Sequence, residues 1–257
     1  EGVSISVKKS FLNKLLKIYV KSNISVITKF TVNVSKNAER IKKHFNRDAD
    51  VFYCGIESLG FVKENTNTFQ RFAAKKINLL SSGVFFPYRN YETQIKVVKR
   101  LRDEGLDVSL NIFGSTMSNI KYSNKINKII FDENLNDCIK VLGQIDYDHF
   151  LELHKNSDLF LFVNIDQSWG LAVFEAMSCG LPVILSESVG ATEILHNGID
   201  SVFVQPTNDL QIVNEIIKMM SDEKYYLEIS TTSSKFHKNY SWDKSYCSKM
   251  LNMMIEI

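Results

Sequence analysis

From residue 77 onward the chain alternates short, continuous apolar runs with stretches of helical periodicity, and few folds accept that rhythm. The runs are INLLSS (77–82), VSLNIF (108–113), CIKVL (138–142), LFLFV (159–163), PVILS (182–186) and SVFV (201–204). Apolar spacing between and after them predicts helices over 91–104, 119–132, 147–156, 171–179, 191–196, 209–220, 223–237 and 242–256. A strand that is apolar along its whole length must be covered on both faces. Alternation with helices then predicts an α/β fold built on a doubly wound parallel sheet. Such sheets bind ligands beyond the carboxyl ends of their strands. The residues that follow each strand are therefore the candidates for a site.

The first part of the chain reads differently. SFLNKLLKIYVK (10–21) predicts a basic amphipathic helix, with lysines between its apolar positions. Its lysines fit a solvated face, or an anionic membrane surface and hence peripheral membrane contact. ISVITKFTVNV (24–34) and VFYCG (51–55) predict strands, and Ser35 is placed to cap a helix over KNAERIKKHF. Two strands alone are marginal in water, so residues 1–60 are expected to be the remnant of another domain. The polar stretch within 61–76 predicts a linker. Residues 77–241 are expected to form the main domain, with 242–257 a C-terminal helix. The chain starts Glu1-Gly2, without Met, and reads as a piece of a longer protein.

Composition narrows the function classes. A net charge of +2 gives no field suited to nucleic acid. The four cysteines, Cys54, Cys138, Cys179 and Cys247, show no CxxC pairing, which predicts a reduced, cytoplasmic setting. No apolar run approaches the ~20 residues of a membrane-spanning helix. Asp48/Asp50 and Asp146/Asp148 both spell Asp-x-Asp, but Asp146 is better placed as a helix N-cap and the first pair as a turn. The histidines are scattered, with His149 and His154 expected at the surface, so no metal and no cofactor is expected.

One segment stands out. SWGLAVFEAMSCGLP (168–182) opens on Gly170, runs into an apolar helix with a lone Glu175, and stops at Gly-Leu-Pro. A helix N-terminus offers unpaired N–H groups and partial positive charge, suited to phosphate. A carboxylate in such company needs a partner. Spacing alone leaves two kinds: a basic side chain or backbone amide of the protein, or the paired hydroxyls of a ribose held just beyond the phosphates.

The wider segment QSWGLAVFEAMSCGLPVILSESVGATEIL (167–195) resembles the signature of glycosyltransferase family 4, retaining enzymes with two Rossmann-like domains in the GT-B arrangement. SSGVFFPYRNYE (81–92), LNIFGS (110–115), VLGQIDYDHFLELHKNSDLFLF (141–162) and YSWDK (240–244) resemble further parts of that family's donor domain. VNVSKNAERIKKHF and VFYCGIE, within 32–57, resemble the end of its acceptor domain. The resemblance implies that Glu175 holds the donor ribose and that Gly170 and Leu171 donate to the diphosphate. It sets Gly143 and Gln144 beside the base, and Gly83 in the loop after the first strand. Arg89 takes the place of the lysine that offsets the leaving diphosphate. Gly190 and Glu193 fall in a loop on the sugar side, where Gly190 would bring backbone N–H groups toward the donor phosphate or sugar and Glu193 would reach the sugar. The implied partners are a nucleotide sugar, a glycan or lipid-linked acceptor, and an acceptor domain that a separate chain would supply if this one lacks it.

Two positions depart from the pattern. Gln167 stands where the family carries the first of its paired glutamates, and an amide cannot serve as a base. Val84 stands where the family has an arginine, which leaves one diphosphate cation missing unless a neighbour such as Lys75 replaces it. The expected function is transfer of a hexose from a UDP- or GDP-sugar to a hydroxyl with retention. The rivals are a non-catalytic nucleotide-sugar-binding subunit and, more distantly, a nucleotide-sugar epimerase.

Overall fold

The structure is a computed structural model, and it describes residue 23 and residues 26–255. The expected helix over 10–21 lies outside the described residues. The chain divides into two compact units at Tyr53/Cys54.

In the first unit, β1 (Thr31–Val32) and β2 (Asp50–Val51) pair in parallel around α1 (Ser35–Phe45). Both strands are shorter than the runs that predict them. Ser35 is the first helical residue, and Val34 occupies the N-cap position instead. Lys42 pairs with the exposed Asp48 at 2.8 Å, which fits the expected solvated turn.

The second unit contains α2 (Thr66–Ala73), β3 (Lys76–Ser82), α3 (Tyr91–Asp103), β4 (Asp107–Phe113), α4 (Ile120–Asp132), β5 (Ile139–Gly143), α5 (Tyr147–Asn156), β6 (Leu159–Phe162), α6 (Leu171–Ser178), β7 (Val183–Ser186), β8 (Val202–Val204), α7 (Asp209–Ser221), α8 (Glu223–Lys235) and α9 (Ser248–Ile255). All six predicted strands form. They make one parallel sheet in the order β5-β4-β3-β6-β7-β8. The order reverses between β3 and β6, which is the switch point where doubly wound sheets open a crevice. Leu79, Leu110, Leu159, Leu161 and Ile184 are fully buried, as strands covered on both faces require. Among the described residues, no helix is long and apolar enough to cross a membrane.

Three expectations are corrected. The polar stretch read as a linker contains α2, whose Thr68 and Phe72 are buried. Its amphipathicity is short and its buried face mixes Thr with Phe, so composition hides it. The helix expected at 191–196 is a single 3-10 turn, Gly190–Glu193. The segment expected to be helical over 242–256 opens with a π-helical turn, Trp242–Cys247, before α9 begins.

The lower edge of the sheet carries a dense polar network. Asp158, directly before β6, is fully buried. Its carboxylate accepts from Thr68 Oγ1 (2.8 Å), Arg71 Nε (3.0 Å) and the Asn78 N–H (2.8 Å). The buried Lys63 donates to Thr68 Oγ1 at 3.0 Å and to the Tyr226 hydroxyl at 3.3 Å. That hydroxyl donates in turn to the Asp158 carbonyl at 2.8 Å. The network fastens α2, β6 and α8 to one another.

Candidate functional site

At the carboxyl ends of the strands lies a cleft of about 1280 Å³. Its floor is made by the loops after β3, β4 and β5. Gly83 N–H donates to the Phe113 carbonyl (2.9 Å), and Gly114 N–H donates to the Gly143 carbonyl (2.8 Å). The first two loops cross so closely that a Cβ on Gly114 would sit 2.2 Å from the Gly83 carbonyl oxygen, so this crossing requires glycine.

One wall is α6. Gly170 precedes it with φ 96°, in the left-handed region, wedged against Phe162 and Val189. That turn aims the open N-terminus of α6 toward the strand ends. Leu171 is exposed on the cleft, and Glu175 sits one turn further along the same wall. Among the described residues the Glu175 carboxylate has neither a hydrogen bond nor a basic partner. Burial pushes its pKa up. Of the two kinds of partner that spacing left open, the protein group is therefore absent among the described residues.

Arg89 enters from the loop after β3, at the end of a 3-10 turn, Pro87–Arg89. The turn is pinned by the Asn90 amide donating to the Val163 carbonyl (3.0 Å) and by the Ile165 N–H donating to the Tyr88 carbonyl (2.8 Å). The guanidinium lies over the Phe162 ring at 5.5 Å and against Gly83. Rotated to face it, the Asn164 amide oxygen accepts from Arg89 Nη1 at 3.1 Å. Arg89 Nε has no hydrogen-bond partner. Among the described residues lining the cleft, Arg89 is the one cation, facing Glu57, Asp146 and Glu175.

The second wall combines two chain segments. Gly55, Ile56, Glu57, Ser58 and Leu59 line it together with Trp242. Ile56 N–H donates to the Tyr240 carbonyl at 2.7 Å, and the Trp242 ring rests on the Gly55 backbone. Leu59 N–H donates to Ser178 Oγ (3.1 Å), which donates to the Glu175 carbonyl (2.9 Å).

The structure thus gathers Gly83, Arg89, Gln144, Leu171 and Glu175 on one cleft. Gly143 and Gly170 set the turns beside it. Gln167 and Gly190 are not among the residues lining it. Gly190 N–H is committed to the Gln167 carbonyl at 3.0 Å, so it is not free to donate to a phosphate. Glu193, in the same turn, does not line the cleft either. Val84 lines the cleft, so the position of the family's arginine is occupied by an aliphatic side chain. Lys75 cannot replace it, because it precedes β3 at the opposite edge of the sheet, where its carbonyl accepts from Asp107. Asp146 caps α5 as expected, accepting from the His149 N–H at 2.8 Å. His154 is not at the surface: it is buried against Phe150, which pushes its pKa down. Among the described residues no cluster of acids, histidines and cysteines could hold a metal ion. The sequence reading missed Glu57, Trp242 and the aromatic group Phe113, Tyr147 and Phe150. Their signal was position alone, since Phe113 ends a strand, Glu57, Tyr147 and Phe150 follow one, and Trp242 lies in the C-terminal segment.

A parallel sheet with a crevice at its switch point, lined by a helix N-terminus, one cation and a carboxylate unpartnered among the described residues, is the arrangement expected of one half of a GT-B fold. The comparisons agree. The sequence profile of Glycosyl transferases group 1 matches residues 62–236, more than half of the chain, and the protein belongs to that family. Among solved structures, HepE of Anabaena in complex with UDP and glucose superposes with a TM-score of 0.75 at 16% identity, covering 90% of this chain and 64% of that one. Sucrose-phosphate synthase of Thermosynechococcus elongatus gives 0.77 at 17%, covering 94% and 62%. Among curated relatives, an uncharacterized glycosyltransferase of Methanocaldococcus jannaschii is 24% identical, over 94% of this chain and 63% of its own length. The O-antigen chain mannosyltransferase RfbU of Salmonella typhimurium is 26% identical, over 79% and 53%. The chain therefore spans between about half and two thirds of the length of these relatives.

Proposed function

We propose that this chain is the donor-binding half of a retaining hexosyltransferase, taking a hexose from a UDP- or GDP-sugar to a hydroxyl acceptor. The observation that carries this reading is Glu175: a desolvated carboxylate without a partner among the described residues, on the wall of a cleft that Arg89 also lines. A ribose diol satisfies both carboxylate oxygens at once, and the energy of burying the acid is then recovered only when donor is bound. The diphosphate lies across the mouth of α6, within reach of Arg89, which stabilises the charge that grows on the leaving group. Neither Gln167, which does not line the cleft, nor any lining side chain is required as a nucleophile. As the bond from the anomeric carbon to the diphosphate breaks, the acceptor oxygen bonds that carbon on the same face and its proton passes to a phosphate oxygen of the leaving diphosphate, which keeps the anomeric configuration. HepE, whose structure holds UDP and glucose, supports a UDP-sugar as the first donor to test. The chemistry assigned to these residues needs no metal ion. The acceptor, a glycan or lipid-linked hydroxyl, is read by the part of the protein that matches the remaining length of its relatives, and any membrane contact lies with that part or the basic segment 10–21.

A panel of UDP-, GDP- and ADP-sugars in thermal denaturation tests the reading. A donor present at 100 times its Kd stabilises the fold by about 2.7 kcal/mol. The Glu175→Ala variant is expected to lose most of that gain; a full gain in the variant overturns the ribose assignment. Val84 and Gln167 favour a second reading, a subunit that binds donor without transferring it. Donor hydrolysis and transfer assays separate the two, because binding without turnover by the complete protein selects the second.

A further inference from the structure

The loops after β3 and β6, two neighbouring strands, are zipped together around Arg89. Asn90 Nδ2 donates to the Val163 carbonyl at 3.0 Å, and Ile165 N–H donates to the Tyr88 carbonyl at 2.8 Å. Asn164 lies between these links and is 1% exposed. With its amide facing Arg89, its oxygen accepts from Arg89 Nη1 at 3.1 Å and its nitrogen donates to the Arg89 carbonyl at 3.3 Å. The Ser186 hydroxyl donates to the Asn164 carbonyl and anchors the residue to β7. A buried amide is costly unless it is satisfied, and here both of its ends are given to one residue. The guanidinium has further support. Its Cζ lies 5.4 Å from the centre of the Tyr88 ring and 5.5 Å from that of Phe162, within cation–π reach of both. Gly83 leaves the room, since a Cβ there would sit 2.6 Å from Arg89 Cζ. One edge of the guanidinium remains. Arg89 Nε is buried without a partner, and Nη2 has none among the described residues. The N–H groups of that edge run parallel, at the spacing of two oxygens of one phosphate.

We propose that Asn164 is a positioning residue for the diphosphate: it fixes the guanidinium through Nη1, so that the Nε–Nη2 edge is the one left for a bidentate grip on phosphate. This rests on the donor reading above. Asn164 is not among the residues lining the cleft, so it acts through Arg89. Val84 removes one cation from the family's pattern, and a preset fork compensates. Its two donors engage two phosphate oxygens together, whereas an ammonium offers a single point charge. An unrestrained arginine loses rotamer freedom when it grips a ligand; held by Asn164 and the two rings, Arg89 has given up that freedom before the ligand arrives.

The test uses the whole protein, with UDP and GDP in calorimetry and uridine and guanosine in proton NMR titration. Asn164→Ala is expected to weaken binding of the diphosphate about tenfold, while the matching nucleoside binds as it does to the wild type. Asn164→Ser keeps a polar group in the buried loop but is too short to reach Nη1. It should match Asn164→Ala, and it takes over should the alanine variant fail to fold. Arg89→Lys should also weaken the diphosphate about tenfold, despite keeping the charge. With Arg89→Ala already in place, Asn164→Ala should cost nothing further. Equal losses for diphosphate and nucleoside overturn the assignment, because Asn164 would then only hold its loop. Undiminished diphosphate binding overturns it as well, and so does the same fold-loss in the Arg89→Ala background. Arg89→Lys binding as tightly as the wild type removes the fork and the proposal with it. Each of these results leaves the donor reading standing. Unchanged diphosphate binding by Arg89→Ala overturns the role of Arg89 and this proposal together, and failure of the wild type to bind either diphosphate overturns the donor reading itself.

Discussion

The two edges of the sheet treat buried charge in opposite ways. At the amino edge, Asp158 is fully buried and every oxygen is occupied, by Thr68, Arg71 and the Asn78 N–H. At the carboxyl edge, Glu175 is largely withdrawn from water and, among the described residues, has no partner, and Arg89 lines the same cleft without an ion pair to any described residue. The same fold that satisfies one carboxylate completely leaves the other waiting. A buried polar group left unpaired costs stability, and on the proposed function it is the donor that offsets this cost at the switch point. The amino edge holds the molecule together, and the carboxyl edge holds something else.

That contrast can be broken most forcefully at Asp158. Asp158→Ala strands Arg71, Thr68 and the Asn78 N–H and is expected to cost about 3–5 kcal/mol in urea unfolding. A loss below about 1 kcal/mol would erase the distinction between the edges. Glu175→Ala should do the reverse, leaving unliganded stability equal or higher while removing most of the donor-induced gain.

Lys63 sharpens the comparison with pH. Its burial lowers its pKa to about 8, partly opposed by Asp158. The unfolded chain holds that proton up to about 10.4, so between these values the unfolded state binds more protons and stability rises with pH. The gain is up to about 3 kcal/mol across that window, and Lys63→Met should flatten the rise in urea melts. Glu175 behaves differently. Its folded pKa is raised, so its ionisation on going up through that pKa costs stability. Unliganded protein should lose stability there, and Glu175→Gln should remove the loss. The smallest effect expected is at Ser178, whose hydroxyl links Leu59 to the Glu175 turn. Ser178→Ala should cost about 1 kcal/mol and loosen donor binding by severalfold, measured by calorimetry.

The sequence made the six strands and the Gly170–Glu175 wall legible because both depend on local pattern. Continuous apolar runs have one stable use, and a glycine before an apolar helix sets one geometry. What stayed hidden depends on long-range pairing. Thr68 and Asp158 are 90 residues apart in sequence and share one hydrogen bond; nothing in either neighbourhood announces the other. His154 looked like a surface residue because its helix is polar around it, yet Phe113, Phe150 and Phe160 enclose it. Gly190 was expected to donate toward phosphate because of its loop, and the Gln167 carbonyl takes that N–H instead.

Trp242, seated on Gly55, has a consequence for how the protein is made. The sheet can be complete once Val204 has left the ribosome, but the wall beside Glu57 is not finished until the segment around Trp242 follows. The strands that floor the cleft thus exist before one of its walls does, and that wall is made only after α7 and α8, whose Ile216 and Tyr226 complete the core.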